Sequence, residues 1–266
     1  MKKILQNTQN LFSLWKTVSD DAGEYHQFDT ISMAKVPNSE YPNRIWLNQY
    51  PTKLTTETIQ KIKTIALQNK EPLRFSLFTD DLHFPEEEQL LRNGFVKKSE
   101  QYGMSFTLKE KLPIERRLHF QLVQDKEQSQ LWSDVFLKSF GYKISVESIY
   151  QSSAKIPFYI LYFQKDIVGT VLTHPTENIM GVHSLGILPE FRKLGFAEEV
   201  MTVLINESID RQCETMTLQS SVMGRNLYLK LGFKEDFLMM NYQFSINNLK
   251  NRLNFLSIKS KSSKNF

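Results

Sequence analysis

The chain has 266 residues, 41% apolar and 23% charged, which is ordinary for a globular protein and long enough for two domains. No stretch approaches the ~18–20 apolar residues of a membrane span, the opening MKKILQNTQNLFSLW lacks the apolar segment of a signal peptide, and the lone Cys213 excludes an intramolecular disulfide, so a reducing cytoplasm is expected. The net charge of +4 is not a nucleic-acid signature, because Lys250, Arg252, Lys259, Lys261 and Lys264 place +5 in residues 246–266 and leave −1 for the rest.

In chain order, Asn7 to Val18 predicts a helix, and Asp20 to Pro42 is polar and weakly patterned. Arg44 to Leu47 reads as a short strand. Thr55 to Gln68 predicts an amphipathic helix, with Ile59, Ile62, Ile65 and Ala66 at helical spacing and Thr55 as its cap. Leu73 to Phe78 reads as a strand. Pro85 to Asn93 reads as a helix with Pro at its first position and Gly94 closing it. Lys97 to Leu108 is extended. Lys109 to Arg117 is charged and aperiodic, and a domain boundary is placed there.

The second half restarts with a strand, Leu118 to Val123, and helices over Lys126 to Phe140 and Ser145 to Ser153. Phe158 to Phe163 and Ile167 to Thr173 form a hairpin about Gln164-Lys165-Asp166. A strand, Ile179 to Leu188, leads to a helix, Gly195 to Ile209. Thr215 to Gln219, Arg225 to Leu231 and Phe237 to Phe244 then read as strand, helix and strand. The fold class is α/β or α+β with a mixed sheet.

The chemistry concentrates between Leu185 and Ala197. A helix N-terminus carries unpaired N–H groups and partial positive charge, which suits a pyrophosphate. Gly195 and the small Ala197 let backbone approach a ligand, and Arg192 and Lys193 add charge. A strand–turn–helix without a ligand stays open on this motif alone.

Ile187-x-Pro189 followed by Arg192-x-x-Gly195-x-Ala197 resembles motif A of the GNAT superfamily, the acyl-CoA N-acyltransferases. Leu227-Tyr228-Leu229-Lys230-Leu231-Gly232-Phe233 resembles a second motif of that family, in which the tyrosine often protonates the departing CoA thiolate. The resemblance covers about 130 residues. It implies acetyl-CoA as cosubstrate and an N-acetyltransferase acting on a primary amine of a small molecule or peptide. A non-catalytic acyl-CoA-binding regulatory protein is the alternative. It further implies cofactor contacts at Ile187, Leu188, Arg192, Lys193, Leu194, Gly195, Phe196 and Ala197, with the strand splayed at Ile187 and a main-chain N–H facing the acetyl carbonyl. Ser221 stands where a CoA-contacting asparagine is frequent. Tyr228 is the candidate general acid, or packs its helix on the sheet.

For the amine proton, His183 is the candidate acceptor, two residues from Leu185 and four from Ile187, so that alternation puts the three on one face. A packing role for His183, with water as acceptor, stays open. No metal, nucleic acid or membrane partner is expected, and a homodimer is left open.

The first half resembles a worn copy of the second. Leu90-Leu91-Arg92-Asn93-Gly94-Phe95 matches the helix end at Gly232-Phe233, with Leu90 in the place of Tyr228. The loop Asn48 to Lys53 has no glycine. The expected organisation is therefore tandem GNAT-like domains, each a mixed sheet flanked by helices: residues 1–112 degenerate, residues 113–245 catalytic, and a basic tail at 246–266.

Overall fold

The computed structural model describes residues 2–50, 54–80 and 86–245. The tail 246–266, the loop residues Thr52 and Lys53, and Pro85 lie outside them. The elements are α1 (Lys2–Ala22), β1 (Glu24–Gln27), β2 (Ile31–Lys35), β3 (Arg44–Leu47), α2 (Thr56–Gln68), β4 (Arg74–Thr79), α3 (Glu86–Arg92), β5 (Phe95–Thr107) and β6 (Leu118–Leu122). They continue with α4 (Lys126–Phe140), α5 (Val146–Ser152), β7 (Phe158–Phe163), β8 (Asp166–Thr176), β9 (Ile179–Ile187), a 3-10 turn (Pro189–Phe191), α6 (Phe196–Asp210), β10 (Thr215–Ser221), α7 (Arg225–Lys230) and β11 (Lys234–Phe244). This is the mixed α/β layout read from the sequence.

Local chemistry sets the boundaries. Asp125 caps α4 by accepting from Gln128 N at 2.8 Å, and Gly141, at φ +78°, ends it. Ser145 caps α5 in the same way. Two strands, β1 and β2, lie in the segment read as unpatterned. Four of the five β2 residues are buried, so no polar alternation marks it.

The chain forms two compact units that interleave in sequence. Among the described residues the first comprises 2–25, 34–42 and 101–237, and the second 26–33, 43–50, 54–80, 86–100 and 238–245. In the first unit the strands run β5-β10-β9-β8-β7-β6. One apolar core on this sheet joins Val200, Met201 and Leu204 of α6 to Met180, Val182, Met216 and Leu218. Another joins Leu14 and Val18 of α1 to Trp132 and Phe136 of α4, Ile149 of α5 and Leu172. In the second unit the order is β1-β2-β3-β4-β11. Its core sets Ile59, Ile62 and Ile65 of α2 against Phe75, Leu77 and Tyr242.

The pairing explains the interleaving. In the first unit β9 and β10 are parallel, and β10 pairs antiparallel with β5, from Thr215↔Thr107 to Ser221↔Gln101. In the second, β3 and β4 are parallel, and β4 pairs antiparallel with β11, from Leu238↔Thr79 to Gln243↔Arg74. Each unit thus draws its antiparallel strand from the other half of the sequence, and a cut at 112/113 would remove both α1 and β5 from the first unit.

Candidate active site

After Ile187 the chain leaves β9, turns through Pro189–Phe191, and enters α6 by way of Lys193 at φ +65° and Gly195 at φ +83°. Gly195 is the N-cap of α6 and offers no side chain. The first helical bond is Glu199 N to Gly195 O, 3.0 Å, so the N–H groups of Phe196, Ala197 and Glu198 have no intrahelical acceptor. They border a cleft of about 340 Å³ lined by Ile187, Phe191, Arg192, Lys193, Gly195, Phe196, Ala197, Glu198 and Leu227. Lys230 neutralises the Glu198 carboxylate, at 2.9 Å and 3.0 Å from its two oxygens. Arg192 lines the cleft but spends donors on structure: Nε donates to Ile187 O and Nη2 to Ser139 O, both at 3.1 Å. Leu194 of this loop is 53% exposed.

Above this loop the sheet opens. β9 and β10 pair only over Ile179–Gly181 and Thr215–Thr217, although both strands continue beyond. Leu188 N donates to Val168 O on β8 at 2.8 Å. Successive residues of a strand present their backbone groups to opposite sides. Of the two expected main-chain donors, Ile187 therefore turns its N–H toward the splay, while that of Leu188 is committed to β8.

The expectation that His183 shares a face with Leu185 and Ile187 fails. The β8–β9 register shifts between Thr170 and Leu172, and Ser184 opposite this shift has φ +54°. This bulge inserts one residue and inverts the alternation. Val182, Leu185 and Ile187 pack toward α6, whereas His183 lies under α1, its Nε2 3.2 Å from Asn10 Oδ1. Asn10 Nδ2 donates to His174 O and Thr176 Oγ1, both at 2.8 Å. Asn10 Oδ1 is thus the acceptor, and the network assigns the proton to His183 Nε2. Burial pushes the His183 pKa down to about 3, with His174 adding to the shift.

Residues 125–233 match the sequence model of the acetyltransferase (GNAT) family. That segment is a GNAT domain. The fold likeness extends further: a GCN5-related N-acetyltransferase from Kribbella flavida aligns over 91% of this chain and 97% of its own at TM-score 0.66 and 10% identity. A putative GNAT acetyltransferase from Novosphingobium aromaticivorans aligns over 90% and 96% at TM-score 0.58 and 11% identity. A conserved protein of unknown function from Staphylococcus epidermidis aligns over 86% and 96% at TM-score 0.59 and 16% identity. No curated protein matches the sequence.

Within the GNAT domain, Tyr228 sits on α7 with its ring 5.7 Å from that of Phe233, in an edge arrangement. Burial raises its pKa to about 12. Among the described residues its hydroxyl has no hydrogen-bond partner. Ser221 closes the turn before α7, its Oγ accepting from Gly224 N at 3.2 Å. The sequence reading placed a helix at Asn7 to Val18, inside α1, but gave its asparagines no role. Asn7 Nδ2 donates to Met104 O at 2.9 Å and Leu218 O at 3.2 Å, and its Oδ1 accepts from Gln219. Asn7 and Asn10 therefore bind β5, β10, β8 and β9 from one helix face. Two asparagines three apart among the apolar residues of this stripe were the available signal.

Proposed function

We propose that this protein is a cytoplasmic, acetyl-CoA-dependent N-acetyltransferase that acetylates a primary amine of a small molecule or peptide. The observation that carries this reading is the uncapped N-terminus of α6, whose first-turn N–H groups border the 340 Å³ cleft. Such an end suits the pyrophosphate of acetyl-CoA. Residues 192–197 and Ser221 form the cofactor side.

Thioester aminolysis needs a donor for the developing oxyanion, an acid for the thiolate and a free amine. In this reading the Ile187 N–H donates to the carbonyl oxygen. Tyr228 stays protonated at pH 7 and gives its proton to the leaving sulfur. The burial that weakens the phenol as an acid also raises the basicity of a thiolate held beside it. His183, with a pKa near 3, is a poor proton sink, so the amine proton leaves through water and His183 remains a neutral member of the α1 network.

Release of CoA thiol on a panel of amines tests the reading and finds the acceptor. With an acceptor in hand, Tyr228→Phe should lower kcat by ~10²-fold or more at near-normal acetyl-CoA affinity. Full turnover by the Phe variant would remove the acid role. Acetyl-CoA bound without CoA release on any amine would mark a regulatory acyl-CoA-binding protein instead.

A further inference from the structure

The charged segment 109–117 lies along α6. Lys111 pairs with Asp210 at 2.6 Å, and Leu112 exchanges two backbone bonds with the Asn206 side chain, at 2.8 Å and 2.9 Å. The segment ends at Arg117, beside the phosphate loop. Glu199, one turn into α6, accepts from Arg117 N at 2.6 Å, Leu118 N at 2.7 Å and Arg117 Nε at 2.9 Å. The Arg117 guanidinium also lies 4.9 Å from the centre of the Phe196 ring, and its Nη2 donates to Leu194 O at 3.2 Å. A Cβ placed on Gly195 would meet one heavy atom within 4 Å, Arg117 Nη2 at 3.5 Å. This cation therefore lies on the side of Gly195 to which a Cβ would point, beside the residues that line the cleft and not among them.

We propose that Arg117 is a phosphate-binding residue of the cofactor site. The inference rests on the proposed CoA site at residues 192–197 and adds a residue from outside both sequence motifs. Three observations support it. The Glu199 carboxylate is only 4% exposed whereas the Arg117 side chain is 40% exposed, so the pair anchors a cation whose head reaches solvent. A guanidinium carries five N–H donors; Nε and one on Nη2 are committed here, which leaves three for an anion. Three separate contacts fix the planar fork in advance, which lowers the ordering cost of binding phosphate. Arg192, the arginine inside the motif, has instead been committed to the carbonyls of Ile187 and Ser139.

The test compares dissociation constants of the full chain for CoA, dephospho-CoA and phosphate-free pantetheine, in the wild type and in Arg117→Gln. The expected result is a loss of roughly tenfold or more for CoA, as for removal of a charged hydrogen bond, with pantetheine unchanged. A loss shared by CoA and dephospho-CoA assigns the contact to the pyrophosphate, and a loss confined to CoA assigns it to the 3′-phosphate. Equal weakening of pantetheine would overturn the proposal and make Arg117 a brace of the loop, and unchanged CoA affinity would overturn it as well. If the wild type itself fails to bind CoA, the cofactor-site reading falls, and this inference falls with it. Arg117→Lys keeps a cation against Glu199 without the fork; if Arg117→Gln does not fold, the Lys variant must show the same phosphate-selective loss, in smaller measure, for the proposal to stand.

Discussion

Two helices of this chain make the same connection and end differently. Both α2 and α6 are crossovers between parallel strands, β3 to β4 and β9 to β10. Each is followed by a strand, a short helix and a glycine in the left-handed region, Gly94 at φ +89° and Gly232 at φ +96°. At α2 the Thr55 side chain accepts from Thr58 N at 3.2 Å, so the protein closes that N-terminus with its own oxygen. At α6 the N-cap is Gly195 and the end is open. The short helices differ in the same sense: Leu90 on α3 is fully buried, while Tyr228 on α7 brings a hydroxyl. One topology thus supports a helix end sealed by a side chain and one left open. The difference lies in a few side chains at helix ends, not in the fold.

The largest effect is expected from separating the two copies as the sequence divides. Expressed separately, residues 1–112 and 113–266 should each fail to give a cooperative thermal melt. The cut strips β5 from β10 and β11 from β4, and it removes Leu14 and Val18 from the core they share with Trp132 and Phe136. Folded, monomeric fragments by circular dichroism and gel filtration would show that the strand exchange is dispensable.

Gly195→Glu attacks the open end directly. The nearest protein atom to the new Cβ is 3.5 Å away, so the variant has room. It does pay for a left-handed φ, of the order of 1 kcal/mol. Its carboxylate would repel an anion at the proposed site, and affinity for CoA should fall by about 10²-fold or more, the loss of several charged hydrogen bonds. Calorimetric titration reads this, and retained affinity would place the cofactor elsewhere.

Much of this contrast was legible in the sequence because it depends on local rules. Thr55 announces a cap, Gly195 the lack of one, and the α4 and β7 boundaries follow from periodicity and from Asp125, Gly141 and Pro157. What was not legible depends on partners. A strand's alternation does not say which strand it pairs with, so the exchange of β5 and β11 was invisible. The bulge at Ser184 adds no residue type of its own, yet it moves His183 to the face opposite Ile187. Arg117 stood in a stretch read as a linker, because its ion pair with Glu199 spans 82 positions.

The next effect tests the buried face beneath α1. Burial lowers the His174 pKa to about 4 and the His183 pKa to about 3, from an unfolded value of 6.5. Between those values the unfolded chain binds protons that the folded one refuses, so stability rises with pH up to about 6.5 and is lost below it. Each histidine contributes a slope of roughly 1.4 kcal/mol per pH unit in its window. Denaturant melts from pH 7 to pH 5 should show this loss, and His183→Gln should flatten it. An unchanged slope in that variant would mean that His183 is not held neutral in the fold.

The smallest effect concerns the sealed end. Thr55→Ala removes the oxygen that accepts from Thr58 N and returns α2 to the uncapped state of α6. Loss of such a cap costs about 1 kcal/mol, and in a chain of this size that is a fall in melting temperature of about 2–4 °C. CoA affinity should not change, because no residue of α2 lines the cleft. The variant does not turn α2 into an anion site. Exposing N–H groups is one requirement, and α6 has further features: a glycine at the N-cap, a strand splayed beyond Gly181 and Thr217, and a cleft in front of its first turn. If Thr55→Ala gained measurable affinity for pyrophosphate in titration, the cap alone would separate the two copies. If it lowered CoA affinity, the two helix ends would be coupled, and the sealed copy would have a part in binding.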